Sequence, residues 1–232
     1  MEHHSDLDML GQSELFHGAP AEALRAAQAA SFRKRCAAGE VLFQQGDPAA
    51  SLMLVIAGQL RASQTTPDGQ QIIIQYLGPG KIVGYTTLSG GEYHPGTVTA
   101  VNDSHLIGWS GAAIREIMLR HPVVALNALG ILGARYHEMQ VRLRELSTEK
   151  VEQRIAHTIL RLAQQAGRRT SHGIEIAFPV SRQDLAEMAG TTLHTVSRTL
   201  SGWEDVGVVN CGRRRVILCK PQALETIADE QD

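Results

Sequence analysis

The spacing of hydrophobic positions changes along the chain, and each change marks a different kind of element. From Phe32 to about Trp109, short apolar runs alternate with turns rich in Gly, Pro and Asp. Short strands at such spacing predict a small antiparallel β-barrel or jelly roll. Before them, the Ala- and Leu-rich stretch from Ala19 to Ala30 predicts a helix with Pro20 near its start.

After the barrel the spacing becomes helical, from Pro122 to about Leu146. Six large side chains recur there at alternating intervals of three and four, which is the spacing of a coiled-coil seam. They are Leu129, Leu132, Tyr136, Met139, Leu143 and Leu146. We expect this stripe to form a dimer interface; packing on the chain's own barrel is the alternative. Gly130 and Gly133 each weaken the helix by about 1 kcal/mol relative to Ala, which close packing would offset.

The stripe is broken at Ser147 to Lys150, a segment that can cap a new amphipathic helix ending near Gly167. Beyond it the pattern predicts a strand from Ile174 to Phe178, two helices joined by a tight turn, and a hairpin. We therefore expect an α+β protein in three parts: a barrel domain at residues 1–119, a dimerisation helix at 120–146 and a second compact domain at 147–232.

The two helices of the last domain carry a specific pattern. Ser181 and Asp184 form a capping box, Gly190 permits a sharp turn, and Thr192 caps the next helix. This is a helix-turn-helix, whose second helix enters the major groove of DNA with its N-terminal half. The polar residues outside its buried stripe are His194, Thr195, Ser197 and Arg198. A hairpin wing follows, with Arg213, Arg214 and Arg215 at its tip.

Each of these residue types suits a particular DNA contact. Arg198 is placed to bind guanine with two hydrogen bonds, although an exposed helix arginine is the simpler alternative. Residues at a helix N-terminus favour phosphate contacts, which position a protein without reading sequence. This positioning group comprises Ser181, Arg182, Gln183, Thr191 and Thr192, and Arg213 and Arg214 are expected to face a groove.

Composition agrees with a folded, non-membrane protein. The 232 residues are 43% hydrophobic and 20% charged, with a net charge of −2. No run approaches the roughly 18 apolar residues of a membrane span, and no signal peptide is recognisable, so we expect a cytoplasmic protein. Residues 1–119 carry 7 basic and 11 acidic side chains, whereas residues 147–220 carry 11 and 7. The three cysteines are widely spaced with no Cys-x-x-Cys pair, which indicates neither a disulfide framework nor a zinc ribbon.

Several motifs resemble the Crp/Fnr family of bacterial transcription regulators over nearly the whole chain. They are Gly46-Asp47, Gly58, Asp68-Gly69, Gly78-Pro79-Gly80, Ile82-Val83-Gly84, the segment 182–186 and the segment 195–198. The resemblance implies a cyclic-nucleotide-binding-type barrel, a dimerisation helix and a C-terminal winged helix-turn-helix. It implies a homodimer on an inverted repeat of double-stranded DNA, with RNA polymerase as the partner of an activator.

The recognition helix departs from one family pattern. In the branch that reads a TTG-type half-site the helix carries Glu-x-x-Ser-Arg, whereas this chain has His194, Ser197 and Arg198 at those positions. The base read at His194 therefore stays open. In having His at this position, the chain resembles nitric-oxide-responsive members of the family.

The barrel departs from the cyclic-nucleotide-binding cassette, in which Glu holds the ribose and Arg the cyclic phosphate. Tyr85 stands in place of that Glu, and His94-Pro95 in place of Arg-Ser. Cyclic AMP would lose its charged partners there, so we expect another effector. The expected pocket residues are Gly84, Tyr85, Thr86, Thr87, His94 and Thr97.

The cofactor stays unknown from sequence. An iron–sulfur cluster is not expected, because Cys36 is the only cysteine in the N-terminal half. A gas bound through haem, another small molecule or no ligand remain open, with His17, Cys36 and His94 as candidate haem ligands.

Two other function classes explain the sequence less well. A ligand-binding module with no DNA role would leave the second helix and the Arg-rich wing unexplained. An enzyme would need a catalytic constellation, for which Glu92 and His94 are the only faint candidates, so we expect no enzymatic activity.

Overall fold

The computed structural model describes residues 2–88 and 90–230, with side chains described from residue 7. Two compact units are present. The first contains the residues up to Thr65 together with Tyr76–Met139, and the second contains Thr66–Gln75 together with the residues from Gln140 onward.

The first unit contains two four-stranded antiparallel sheets, ordered β1-β8-β3-β6 and β2-β7-β4-β5, except for residues 71–75 of β5, which are grouped with the second unit. The predicted barrel and the α+β class are confirmed. Apolar side chains of β3 and β8 fill the interior, and Leu52, Leu54 and Trp109 are fully or almost fully buried. The strands are β1 (Phe32–Cys36), β2 (Val41–Phe43), β3 (Ser51–Ala57), β4 (Leu60–Thr65), β5 (Gln71–Leu77), β6 (Ile82–Val83), β7 (Thr97–Ala100) and β8 (Ser104–Ser110).

Helices cover one side of this unit. The indole Nε1 of Trp109 donates a 2.7 Å hydrogen bond to the carbonyl of Ala27, and its ring lies 5.4 Å from that of Phe16. One tryptophan therefore joins the sheet to α2 and to the turn that follows α1. The helices are α1 (Glu2–Gln12), α2 (Ala21–Ala29), a short 3₁₀ turn (Tyr85–Thr87), α3 (Gly111–Arg120) and α4 (Pro122–Thr148).

Glycine is required at one turn of the barrel that the family motifs contain. Gly58 has a φ of 91°, and a Cβ there would lie 2.6 Å from the carbonyl oxygen of Asp103. An L-residue would clash with backbone and adopt a strained conformation, so the motif reflects close approach of two chain segments.

The long helix α4 ends later than the sequence pattern predicted. Ser147 and Thr148 do not cap a new helix; their hydroxyls donate to the carbonyls of Leu143 and Arg144 one turn earlier, at 2.8 and 2.9 Å. Because this bond keeps both residues helical, the break falls at Glu149 and Lys150.

The second unit contains the predicted helices and hairpin around a four-stranded sheet ordered β11-β12-β10-β9. The apolar stripe of its first helix is buried, as Ile155, Ile159 and Leu162 show. The strand predicted at Ile174 to Phe178 ends at Ile176, and a neighbouring strand forms at Gly167, where only a helix end was expected. The elements are α5 (Val151–Ala166), β9 (Gly167–Thr170), β10 (Gly173–Ile176), α6 (Arg182–Ala189), α7 (Leu193–Asp205), β11 (Val209–Gly212), β12 (Arg215–Leu218) and α8 (Pro221–Asp229).

Within the described residues, no single helix has the length and apolar character needed to cross a membrane. Helices α3 and α4 meet the length and composition criteria only as a pair, and the pair is bent by 116°.

Candidate nucleic-acid interface and barrel pocket

The two helices of the predicted motif begin as the sequence indicates. Ser181 Oγ accepts from the amide of Asp184 at 3.0 Å, and Asp184 Oδ2 accepts from the amide of Ser181 at 2.7 Å, which is the reciprocal capping box. Gly190 ends α6 with a φ of 62°, and Thr192 Oγ1 caps α7 by accepting from the amide of Thr195 at 3.2 Å. The helix-turn-helix is therefore present.

The outer face of α7 is polar and accessible. His194 and Arg198 are exposed, while Thr195 and Ser197 are half-buried. In the described part of the chain neither His194 nor Arg198 has an ion-pair or hydrogen-bonding partner. On the opposite face Val196, Leu200 and Trp203 are buried. Burying that face points the accessible side chains outward, and Arg198 is the free cation among them.

The wing is fixed beside the start of α6. Strands β11 and β12 pair Gly212 with Arg215, so the turn itself consists of Arg213 and Arg214, and Arg215 lies in the strand. Arg214 has a φ of 61°, a left-handed conformation unusual for a residue other than glycine. Its carbonyl oxygen accepts from the amide of Val180 at 3.1 Å. The exposed turn arginines therefore adjoin the segment that leads into Ser181.

The guanidinium of Arg182 is already paired within the domain. Its Nη2 lies 3.0 Å from Oε2 of Glu204, near the end of α7, and Nη1 lies 3.5 Å from the carbonyl of Ser197. The second oxygen of Glu204 accepts from the amide of Cys211 in the wing at 2.8 Å. One carboxylate thus contacts α6 and the wing from the recognition helix.

Glu204 was missed by sequence reasoning. The helix dipole disfavours an acidic residue in the last turn of a helix, but the exposed Asp205 lies in the same turn, so this position alone did not single out Glu204. Nearby, burial is the main cause that raises the pKa of Cys211 to about 11, the charge of Glu204 raises it further, and Arg182 opposes both. The Cys211 thiol is therefore neutral near pH 7.

The remaining predicted phosphate contacts differ in their exposure. Gln183 and Thr192 are exposed, and Ser181 and Thr191 are half-buried. The side-chain Nε2 of Gln183 donates to Oε1 of Glu187 at 3.0 Å along α6.

The predicted pocket residues of the barrel are largely engaged with the protein itself. Thr87 Oγ1 donates to the carbonyl of Ser51 at 3.1 Å, and Thr97 Oγ1 accepts from the amide of Gln45 at 3.1 Å. Gly84 has a φ of 81°, and a Cβ there would lie 2.5 Å from the Ser51 carbonyl oxygen. Two hydroxyl-to-backbone hydrogen bonds and the close approach at Gly84 therefore fix this segment to its neighbours.

His94 lies inside the barrel rather than on a loop surface. It is 5% exposed, and its ring stacks on Phe43 with centroids 4.1 Å apart and an angle of 19°. Its amide donates to the carbonyl of Asp47 at 2.8 Å. Burial lowers the pKa of His94, against the opposing charge of Asp47. The imidazole is therefore a neutral, stacked group.

The predicted pocket residues adjoin two different hydrophobic clusters of the barrel. Tyr85 packs against the hydrophobic cluster that contains Trp109, whereas Phe43, the stacking partner of His94, packs against the cluster that contains Cys36. Thr86 is half-buried, and its carbonyl accepts from the amide of Gly91 at 3.1 Å.

The candidate haem ligands occupy dissimilar environments. His17 is exposed, and Cys36 is 2% exposed in an apolar cluster where burial raises the pKa of its thiol. Among described residues, a group of potential metal-ligating side chains within 4.8 Å forms at Glu145, Glu149 and His157, and none of the three candidates belongs to it. Arg161 already binds Glu145 at 2.6 Å, which leaves that carboxylate neutralised.

The stripe on α4 is largely exposed. The exposed fractions are 64% for Leu129, 63% for Tyr136, 65% for Met139, 67% for Leu143 and 54% for Leu146, and Leu132 is half-buried. The other side of the helix is buried through Val124, Ala128 and Ile131. A Cβ added at Gly130 or Gly133 would meet nothing within 4 Å, so no other element among the described residues packs closely on those glycines.

Comparison with known proteins agrees with both halves of the chain. Residues 33–121 match the cyclic nucleotide-binding domain, and residues 153–227 match the Crp-like helix-turn-helix domain. A "Cyclic AMP receptor protein" from Thermus thermophilus is 32% identical over 216 residues, which cover 93% of this chain and 97% of that protein.

Two further comparisons extend this result. The "Nitrogen fixation regulation protein FixK" from Azorhizobium caulinodans is 28% identical, over 80% of this chain and 75% of that protein. The solved structure of FixK2 from Bradyrhizobium japonicum shares the fold with a TM-score of 0.76 at 21% identity, over 87% of this chain and 99% of that one. The chain belongs to the Crp/Fnr family of DNA-binding transcription regulators.

Proposed function

We propose that this regulator works as a cytoplasmic homodimer on an inverted-repeat operator, and that its barrel responds to a small effector other than cyclic AMP. In this proposal residues 1–119 sense the effector, residues 120–146 dimerise, and residues 147–232 bind DNA. RNA polymerase is the further partner expected of an activator.

The exposed stripe of α4 supports dimerisation. Five large side chains that are each more than half exposed along one helix are costly in water, because burying one such side chain contributes about 1.5–3 kcal/mol. A second copy of the same helix presents the matching stripe and would approach closely at Gly130 and Gly133. A two-fold dimer would then bind half-sites about one helical turn apart.

The observation that carries the DNA proposal is the exposed guanidinium of Arg198 on α7, in the same domain as the exposed wing residues Arg213 and Arg214. Arg198 would read guanine in each half-site. Thr195, Ser197 and His194 would face the neighbouring bases. Ser181, Gln183, Thr191 and Thr192 would contact phosphates, together with Arg213 and Arg214 of the wing.

The state of the cassette supports an effector other than cyclic AMP, even though a relative is named a cyclic AMP receptor protein. A cyclic phosphate at this cassette would meet Pro95 and the neutral ring of His94, which is stacked on Phe43. Each charge-assisted hydrogen bond contributes about 1.5–3 kcal/mol, so the loss of two or three would weaken binding at least a hundredfold.

The test combines DNA binding with ligand detection. The purified chain should shift genomic fragments in a gel, and the shift should be unchanged by 1 mM cyclic AMP (roughly 1,000 times a micromolar Kd). Calorimetry with cyclic AMP should show no binding at micromolar concentration. A cyclic AMP response would overturn the effector proposal, and absence of any specific shift would favour the alternative, a ligand-binding module without a DNA role.

Identification of the effector uses the same preparation. Mass spectrometry of the denatured protein reports any carried small molecule, and an absorbance band in the Soret region would establish the haem alternative.

A further inference from the structure

We propose that Glu204 is a positioning residue of the DNA-binding domain, which withholds the Arg182 guanidinium from DNA phosphate and holds the recognition helix to the wing. The proposal uses the DNA-facing surface assigned above, and it changes the role of one residue in it. Arg182 then serves as an ion-pair partner of Glu204 within the domain.

The first observation is the geometry of the ion pair. Glu204 Oε2 lies 3.0 Å from Arg182 Nη2, and the two side chains are 27% and 34% exposed. Partial burial strengthens such a pair relative to a fully exposed one, since less water screens it. A phosphate would have to displace a carboxylate that is already in place.

The second observation is that Glu204 uses both oxygens. Oε1 accepts from the backbone amide of Cys211 at 2.8 Å, so the carboxylate is fixed by the wing strand as well as by Arg182. Arg182 and Cys211 lie 22 and 7 residues from Glu204 along the chain, and this one side chain joins them. The carboxylate cannot follow Arg182 toward DNA without breaking its bond to the wing.

The third observation concerns what this junction positions. Arg198 lies less than two turns before Glu204 on α7, and the wing turn carries Arg213 and Arg214. Holding α7 to β11 fixes the separation between the base-reading side chain and the wing cations. The loss of Glu204 should therefore affect discrimination between sequences as well as affinity.

The experiment compares salt dependence on two duplexes: a random-sequence duplex, and a duplex enriched from a random library by the wild-type protein. Glu204→Gln keeps an oxygen acceptor for the Cys211 amide but removes the charge that holds Arg182. The salt slope is the fall in log affinity per unit rise in log salt concentration. For binding of Glu204→Gln to the random duplex, this slope should be steeper by about 0.9 per protomer. Between about 50 and 200 mM salt its affinity should then fall about threefold more per protomer than that of wild type. The ratio of enriched to random affinity should decline.

Arg182 provides the complementary test. In the wild-type background Arg182→Ala should leave the salt slope on the random duplex unchanged. Its affinity for the enriched duplex should nevertheless fall, because the ion pair between Arg182 and Glu204 is lost. In the Glu204→Gln background the same substitution should remove the added slope. Asp205→Asn is the matched control, since it deletes an exposed acid one residue further along α7 and should change neither result.

Two outcomes would overturn the proposal. One is a slope about 0.9 shallower per protomer for Arg182→Ala alone, which would make Arg182 a phosphate contact. The other is a Glu204→Gln slope equal to that of Asp205→Asn. Urea midpoints of each variant verify folding. If the library yields no enriched sequence, the proposed sequence-specific function fails, while the slopes on the random duplex still decide the role of Glu204.

Discussion

The amide of Val180 donates a 3.1 Å hydrogen bond to the carbonyl oxygen of Arg214, which ties the tip of the wing to the chain just before the first helix of the DNA-binding motif. This bond depends on the left-handed backbone of Arg214, whose φ is 61°. The wing is thus placed by a backbone contact, and its side chains remain available for DNA.

Arg214 lets conformation and charge be separated. Arg214→Gly should keep or slightly raise stability, because a non-glycine residue in a left-handed conformation costs of order 1 kcal/mol. DNA affinity should nevertheless fall, with a salt slope about 0.9 shallower per protomer. Chemical unfolding and fluorescence anisotropy measure the two quantities. Unchanged DNA binding would contradict a groove-facing wing.

The α4 stripe predicts the oligomeric state. Leu143→Arg should convert the protein to monomers, because it places a charge in an apolar seam where Leu143 is 67% exposed in the single chain. Leu119→Arg is the control, since Leu119 is 78% exposed but lies on α3, away from the stripe. Sedimentation at micromolar concentration should distinguish them. A dimeric Leu143→Arg would show that the stripe has another role.

His94 predicts a pH dependence of stability. Its pKa is lowered by burial below the ordinary value of about 6.5. The unfolded chain therefore binds the proton more readily, so the contribution of neutral His94 is complete above about pH 6.5 and is lost as pH falls through the folded pKa. When the pH is lowered from about 7.5 to about 5.5, the urea midpoint should decrease more for wild type than for His94→Leu.

A matched control accompanies that measurement. His105 is exposed on β8, so His105→Gln should keep the wild-type pH dependence. If His94→Leu and wild type lose the same stability on acidification, the buried neutral imidazole is not what the pH change titrates.

The parts of this molecule that sequence reasoning predicted are those governed by local signals. The cap residues Ser181 and Thr192 act within one helical turn, and the stripe of α4 follows from helical periodicity alone. The sequence pattern placed Ser147 and Thr148 at the start of a new helix, whereas they are the last residues of α4. Their hydroxyls can either cap a following helix or bond back to the preceding turn, and tertiary neighbours decide which of the two occurs.

The missed contacts are tertiary. Arg182 and Glu204 are separated by 22 residues, and nothing in either local pattern states that the fold brings them together. The stacking of His94 on Phe43 joins positions on different strands and loops in the same way. The sequence-level assignments of Arg182 to phosphate and of His94 to a ligand pocket therefore did not include their partners Glu204 and Phe43.

The measurement that tests the central claim most directly is selection of DNA from a random library by wild type and by Arg198→Ala. The wild-type protein should enrich an inverted repeat with half-sites about one helical turn apart. Arg198→Ala should bind that repeat about 1–3 kcal/mol more weakly and lose preference at one base pair in each half-site, while other positions are kept. Enrichment of the same sequence with unchanged preference at every position would contradict the assignment of Arg198 as the base-reading residue.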